Sequence, residues 1–537
     1  MKKFHPLSEG TYLLVMNKII LALVLLFAFR SFAQSPTEKL SYHLIKVDEK
    51  GLILPWYSAD PSEAYDHIVR IVWDFWYTMR RDPNGLPYYM NHQVWTKDQD
   101  DHRGIGGDQI AMAMSSWRLL YQYLGDERLV NNIRFMADYY LTHSLTPVDS
   151  KWPNIPYPYN TFGYSGIYDG DMILGKDFAQ PDKAGSFGIE LVNLYKMTGN
   201  KGYLSAAVNI ANTLAEKTIE GDQDNSPLPF RVNAITGKTG SIREGLKNEL
   251  KYSYTSNWTG TLQLFNALDE VGIGNREQYR KSFQMILSWM KTYPAKINKW
   301  GPFFEDVGEW SDTQINAVTF ACFILENPQY FEKGDKQARS ILDWVYQELG
   351  NDKWKNLGAK VVNEQTDYRV PGNSHTARQG AAELLYALKT GDDQSKSTGI
   401  RQLNWATYMV KEDGESTYPN NETWMTDGYG DFVRHYLRAI SYYPELSPAD
   451  QNHLVSSTSV VKKLIYSKEQ IKYETFDSKS TETLRLISRP KEIKSGDTKL
   501  IESDKEDVGE YWNWQPLDKG GILKISHQNT GKIVLIF

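Results

Sequence analysis

One turn recurs five times between helical patterns: Gly125-Asp126, Gly199-Asn200, Gly274-Asn275, Gly334-Asp335 and Gly391-Asp392. A glycine just past a helix takes the left-handed cap, and Asp or Asn then accepts the first free N–H groups of the next helix. Each pair therefore predicts a helical hairpin. A lone helix is expected before the first hairpin, near 62–81, and another after the last, near 427–443.

Five hairpins and two flanking helices make twelve, the number that closes an (α/α)6 toroid. Tyr279, Phe283, Ile286 and Met290 recur at helical spacing, as do Leu129, Ile133, Met136 and Tyr140, which marks amphipathic helices for an outer ring. The helices alternating with them are apolar nearly all round, as in Ala317–Leu325, and a helix of that kind is buried. The inner helices are expected to start near Asp108, Ser186, Trp258, Asp312, His375 and Asp427. Beyond Pro444 the pattern changes to strand-like alternation, with turn signals at Asp518-Lys519-Gly520-Gly521 and Asn529-Thr530-Gly531. The expected class is mainly α: a toroid over 61–443, a linker over 444–469 with room for one strand, and a small antiparallel β-sandwich over 470–537.

The amino-terminal stretch reads as a targeting segment. Lys18 precedes the apolar run Ile19–Phe29, and Ser31-Phe32-Ala33 fits a small-x-small cleavage pattern. A signal peptide over 1–33, a lead-in over 34–60 and a periplasmic or secreted location follow. The run is shorter than the ~20 residues needed to span a bilayer, so no membrane anchor is expected. Cys322 is the only cysteine, which rules out an internal disulfide and a cysteine-type zinc site. The net charge of −6 over 537 residues, without a Lys/Arg-rich run, argues against a nucleic-acid surface.

Each inner helix is preceded by a long aromatic and polar loop, and binding residues favour loops on a rigid scaffold. The first loop offers Asn91, His92, Asp98, Asp100, Asp101, His102 and Asp108. The second offers Trp152, Tyr164 and Asp169, and the third Trp258. The fourth carries Glu305, Asp306, Trp310 and Asp312. The fifth carries Arg369, Asn373, His375 and Arg378, and the sixth Tyr418, Trp424, Tyr429 and His435. His375 opens an inner helix with Arg378 one turn along the same face. A neutral imidazole can take a proton, while Asn and Arg can hold a carboxylate. His375 could equally serve only the helix start, Asp108 only as a cap, and His435 only as packing. A divalent metal at Asp98, Asp100, Asp101 and His102 is chemically reasonable, but a solvated acidic loop is the favoured reading, and no cofactor is expected.

At these loops the chain resembles (α/α)6-toroid enzymes that act on uronic-acid sugars. These are polysaccharide lyases with a toroid and a β-domain, oligosaccharide dehydratases of ulvan-degrading systems and, more distantly, unsaturated glucuronyl hydrolases. In the lyases an Asn and a His neutralise or deprotonate and a Tyr serves as acid or base. The resemblance implies Asn373, His375 and Tyr429 in those parts, or Asn91 and His92. In the glucuronyl hydrolases two Asp residues act, and Asp108 and Asp169 are the counterparts here.

The reading favoured by the sequence is a carbon–oxygen lyase that acts by β-elimination on an acidic poly- or oligosaccharide. Its expected catalytic residues are His375, Tyr429, Asp108 and His102. Asn373, Arg378, Arg369 and His92 would bind the acidic sugar, and Trp152, Tyr164, Trp258, Trp310 and Trp424 would stack on it. The alternatives are a glycoside hydrolase using two of Asp108, Asp169, Glu305, Asp306 and Asp312, and a non-catalytic glycan-binding protein.

Overall fold

The computed structural model describes residues 38–90, 93–96, 99–101, 107–162, 165–304, 308–419, 427–504 and 509–537. The expected signal peptide lies outside them. Among the described residues twelve long helices follow in order: α1 (Pro61–Thr78), α2 (Gly107–Leu124), α3 (Glu127–His143), α4 (Pro181–Thr198), α5 (Lys201–Lys217), α6 (Thr259–Val271), α7 (Arg276–Thr292), α8 (Gln314–Glu326), α9 (Gly334–Leu349), α10 (Asn373–Thr390), α11 (Asp393–Thr407) and α12 (Asp427–Tyr442). No helix among these residues is long and apolar enough to cross a membrane.

The turn chemistry sets most boundaries. Gly125, Gly199, Gly274 and Gly391 have φ between 69° and 80°. Asp126, Asn200, Asn275 and Asp392 each accept a backbone N–H of the following helix, the N-cap bond expected of them. The fourth turn differs. Asn327 ends α8, Pro328 starts a short 3-10 turn because it cannot prolong a helix, and Gly334 is itself the first residue of α9. The start of α4 also moves from Ser186 to Pro181, whose fixed φ suits a first helical position.

Six helices close an inner ring: α2 packs on α4, α4 on α6, α6 on α8, α8 on α10, α10 on α12, and α12 back on α2. Their hairpin partners α3, α5, α7, α9 and α11 lie outside, and α1 packs on α11 and α12. The inner helices approach closely where glycines face each other. A Cβ on Gly185 of α4 would sit 2.0 Å from Thr261 Oγ1 of α6, and one on Gly260 would sit 2.7 Å from the Ser186 Cα. Every inner helix lines one axial cavity, through Met112 of α2, Ser186 of α4, Gly260 of α6, Thr319 of α8, Arg378 of α10 and Arg434 of α12. The residues that open these helices therefore gather at one end of the barrel.

Residues 444–469 hold more than a linker. Two strands, β1 (His453–Ser457) and β2 (Val461–Tyr466), precede β3 (Gln470–Thr475), β4 (Ser480–Leu486), β5 (Glu492–Ser495), β6 (Thr498–Lys499), β7 (Ile501–Glu502), β8 (Tyr511–Pro516), β9 (Gly521–His527) and β10 (Lys532–Ile536). They form two five-stranded sheets, in the orders β1-β4-β9-β8-β7 and β2-β3-β10-β5-β6. All pairs are antiparallel except β7 with β8. Strict alternation of burial along β9 matches its sequence period of two. A register shift in each of β1 and β2 interrupts the alternation, so the pattern is weakest there.

Candidate functional site

The described part of the site is built around the start of α10. Asn363 and Glu364 follow a short strand, Val361–Val362, and Gly372 caps the helix that begins at Asn373. His375 is 2% exposed, and neither of its ring nitrogens has a hydrogen-bond partner among the described residues. Glu364 Oε1 lies 3.8 Å from Nδ1. Glu364 Oε1 also accepts a hydrogen bond from the Tyr418 hydroxyl. Burial, aided by the Arg378 guanidinium, holds the imidazole well below its ordinary pKa, so it is neutral at physiological pH. A small cavity runs between Asn373, His375, Ser416, Thr417, Tyr418 and Gly428. A neutral imidazole beside a carboxyl and a phenol, with its nitrogens uncommitted, is suited to taking a proton from a carbon acid.

The fourth loop covers this group. The Phe304 ring centre is 5.7 Å from that of His375. Two buried cations hold the backbone there: Lys183 Nζ donates to the Phe303 carbonyl at 2.8 Å, and Arg231 donates to the Phe304 carbonyl at 3.4 Å. Arg231 is itself fixed by Asp171 at 3.2 Å, and the Lys183 ammonium lies 3.1 Å from the centre of the Phe303 ring. The third loop is tied to the fourth through Thr255 Oγ1, which donates to the Pro302 carbonyl at 2.8 Å. Trp258 and His375 thus lie at the same end of the barrel.

Several expected site residues have other occupations. Tyr429 is fully buried and stacks on Phe75 of α1 at 5.4 Å, and its hydroxyl accepts the Ser416 N–H at 3.2 Å. It was expected to open to the cleft, but the third residue of α12 points at the outer layer instead. Arg378 was expected on a substrate carboxylate. Its guanidinium is taken by Asp431 of α12 and by Gln314 of α8, because one turn into α10 the side chain faces the barrel axis. His435 bonds Asp431 at 3.2 Å, in keeping with a packing role. Trp258 is buried and donates Nε1 to the Thr255 carbonyl at 2.7 Å, and Trp152 is buried in the core. Arg369 is exposed and donates to the Glu348 carbonyl at 2.6 Å. Asn373 stays at the small cavity, where it donates to Ser416 Oγ at 2.6 Å.

Trp310 is 37% exposed, packs on Tyr254 at 5.2 Å and has Lys299 5.1 Å from its ring centre. Among the predicted stacking residues that are described, it is the one with an open face. Of the carboxylates offered for a hydrolase, the two with described side chains hold loop backbone. Asp312 accepts from the Trp300 and Gly301 N–H groups at 2.7 and 2.8 Å, and Asp169 accepts the Thr161 N–H at 2.7 Å. Asn91, His92, Asp98, His102, Tyr164, Glu305, Asp306 and Trp424 lie outside the described residues, as do the side chains of Asp100, Asp101 and Asp108. Among the described residues no group of three or more His, Cys, Asp or Glu could hold a metal ion.

Glu364 was missed by sequence reading. It stands in a polar stretch, Asn363-Glu364-Gln365-Thr366-Asp367, with no motif to single it out, and only the bridge of Gln365 to Thr313 and the strand before it bring it against α10.

No protein-family model and no curated protein matches the chain. Solved structures do match its fold. Cellobiose 2-epimerase from Spirochaeta thermophila is similar over 71% of this chain and 97% of its own, with TM-score 0.54 and 11% identity. D-mannose isomerase gives 0.53 and 11% over 72% and 99%. Cellobiose 2-epimerase from Bacillus thermoamylovorans gives 0.52 and 16% over 70% and 98%. At these identities the likeness is one of fold, the (α/α)6 toroid, which these sugar-converting enzymes share.

Proposed function

We propose that the protein is a carbohydrate-active enzyme whose site abstracts a proton next to a carboxylate, and that the reaction is β-elimination on a uronic-acid-containing poly- or oligosaccharide. The observation that carries this reading is His375: buried, neutral, without side-chain hydrogen bonds among the described residues, and beside Glu364 and Tyr418. In the proposed step the C5 proton passes to His375 while Glu364 orients the imidazole. The C4–O bond breaks, the C4=C5 bond forms, and Tyr418 gives a proton to the departing oxygen. Tyr418 takes the acid role in place of the packed Tyr429. Trp310 is the proposed stacking platform. If the departing group is a sugar the enzyme is a lyase; if it is hydroxide, a dehydratase. General acid–base groups of this kind contribute about 10²–10⁴-fold each.

Two further readings complete the proposal. The targeting pattern supports export to the periplasm or beyond. The two sheets are read as the layers of a β-sandwich appended to a toroid at 61–443, on the strength of Tyr473 of one sheet donating to Glu482 of the other at 3.0 Å.

The test is to incubate the protein with uronate-containing oligosaccharides and follow near-ultraviolet absorbance and product mass. Elimination gives a 4,5-unsaturated uronate, and a carboxyl-reduced substrate is inert. Products with water added and no double bond would replace elimination by hydrolysis. A product of unchanged mass and altered configuration would replace it by epimerisation, which begins with the same proton removal.

A further inference from the structure

Two exposed aromatic side chains stand at the rim of the site, Trp310 of the fourth loop at 37% and Tyr368 of the fifth at 52%. Backbone brings them together. Residues 363–371 form a hairpin, closed by the bridge of Asn363 to Pro371 and by the Glu364 N–H, which donates to the Val370 carbonyl at 2.9 Å. Tyr368 lies at its tip. The tip is bonded to the segment that carries Trp310. The Thr366 N–H donates to the Asp312 carbonyl at 3.0 Å, Thr366 Oγ1 accepts the Asp312 N–H at 3.0 Å, and Ser311 Oγ accepts the Asp367 N–H at 3.2 Å. The indole is fixed as well: its Nε1 donates to Asp312 Oδ2 at 3.1 Å, and its ring packs on Tyr254. Scattered apolar side chains are ordinary on a surface, whereas two aromatic ones on adjoining, mutually bonded segments mark a place for a ligand. A ring held before binding gives up little freedom when a ligand covers it. The base of the same hairpin is Glu364, beside His375. Four residues of chain reach at most about 14 Å, so one short oligosaccharide can span from Glu364 to Tyr368.

The charges around this ledge do not favour an acidic occupant. Lys299, beside the indole, is paired with Asp224 at 2.9 Å, and Arg243 is paired with Glu309 at 2.6 Å. Asp367 and Arg369, both exposed, flank Tyr368 with opposite signs. Asp312 adds a carboxylate whose donors are the N–H groups of Trp300, Gly301 and Trp310. Among the described residues the ledge therefore has no surplus of positive charge. The C–H face of a pyranose fits a flat aromatic ring with no need of one.

We propose that Trp310 and Tyr368 form a subsite for a neutral sugar unit, set apart from the uronate that reacts at His375. The substrate is then a mixed chain in which the uronate is joined to uncharged sugars. The identity of the reacting sugar rests on the elimination proposed above; the neutral subsite stands without it.

The experiment is calorimetric titration of the full chain with cellotetraose, mannotetraose and xylotetraose, and with tetragalacturonate as the charged counterpart, at low and high sodium chloride. At least one neutral tetrasaccharide should bind, with an affinity that salt leaves unchanged. Trp310→Ala should weaken that binding by about tenfold, and Tyr368→Ala, at the exposed hairpin tip, by a smaller factor. Failure of all three neutral probes, an affinity unmoved in Trp310→Ala, or binding of tetragalacturonate alone with a steep salt dependence would each overturn the subsite. No turnover is measured, so the loss of the elimination reading would leave a positive result standing, and a negative result would leave the elimination untouched.

Discussion

Two buried histidines, one in the toroid and one in the β-region, are treated in opposite ways. Among the described residues His375 has no hydrogen bond on either nitrogen. His527, at the end of β9, is fully committed. Its Nδ1 meets the Ser478 carbonyl at 2.8 Å, and its Nε2 meets Glu482 at 3.0 Å and Ser480 at 2.9 Å. Burial pulls the His527 pKa down, but the Glu482 carboxylate and the Ser478 carbonyl outweigh it and leave it raised. For His375 burial wins and the pKa falls. A satisfied polar network is what a core requires. A buried imidazole left without partners is a departure from that rule, and such departures concentrate at functional sites.

The comparison breaks most readily by exchanging the two alanine variants. His375→Ala should lower kcat on the cleaved saccharide by about 10²–10⁴-fold with the urea midpoint unchanged. His527→Ala should do the reverse. It leaves the buried Glu482 with its hydroxyl donors but without the His527 imidazole and should cost about 3–5 kcal/mol of stability at unchanged kcat. Should both variants lose stability and neither lose activity specifically, His375 is packing and the site lies elsewhere.

Acid sharpens the contrast. His453, stacked on Tyr123 at the junction with β1, is held down to about 4 by burial. A histidine depressed in the fold costs nothing above pH 6.5, where both states are neutral. Its stability is lost as pH falls from about 6.5 to about 4, by about 3 kcal/mol for this residue. His435 and His375 act in the same direction. His527 runs the other way: its contribution is full below pH 6.5 and is lost as pH rises through its raised folded value. Urea midpoints across pH 4–9 should therefore fall steeply on the acid side, and His453→Phe should flatten that limb. His527→Ala should flatten only the alkaline limb.

Smaller effects are expected around His375. Glu364→Gln should lower kcat by about tenfold and shift the pH–rate profile, because the substitution removes charge while keeping shape. Phe304→Ala should admit water over the ring and move the His375 pKa upward, toward 6.5, as read from its imidazole resonances. An unmoved resonance would mean that Phe304 does not shield it.

Much of the frame was legible because it is local. Four of the five Gly–Asp/Asn pairs cap the helices expected of them, and the sixfold alternation follows from helix polarity. The site was less legible because helix phase decides what a side chain faces. Arg378 and Tyr429 lie within a turn or two of their helix starts, as expected, yet one faces the axis and the other faces α1. Glu364 has no local signal, since its closeness to His375 is created by strand pairing and by contact with Tyr418. The strands at 453–466 were hidden by register shifts that break the period of two.

The ring is not closed by covalent continuity. Its seam runs between α12 and the helices α1 and α2, across more than three hundred residues of chain, and a joint of such separation is slow to form during folding. Strand β1 packs on both α2 and α12, and His453 within it bonds the Tyr123 carbonyl at 3.0 Å. The β-region thus acts as a splint laid over the seam, and a chain cut before His453 should open there first.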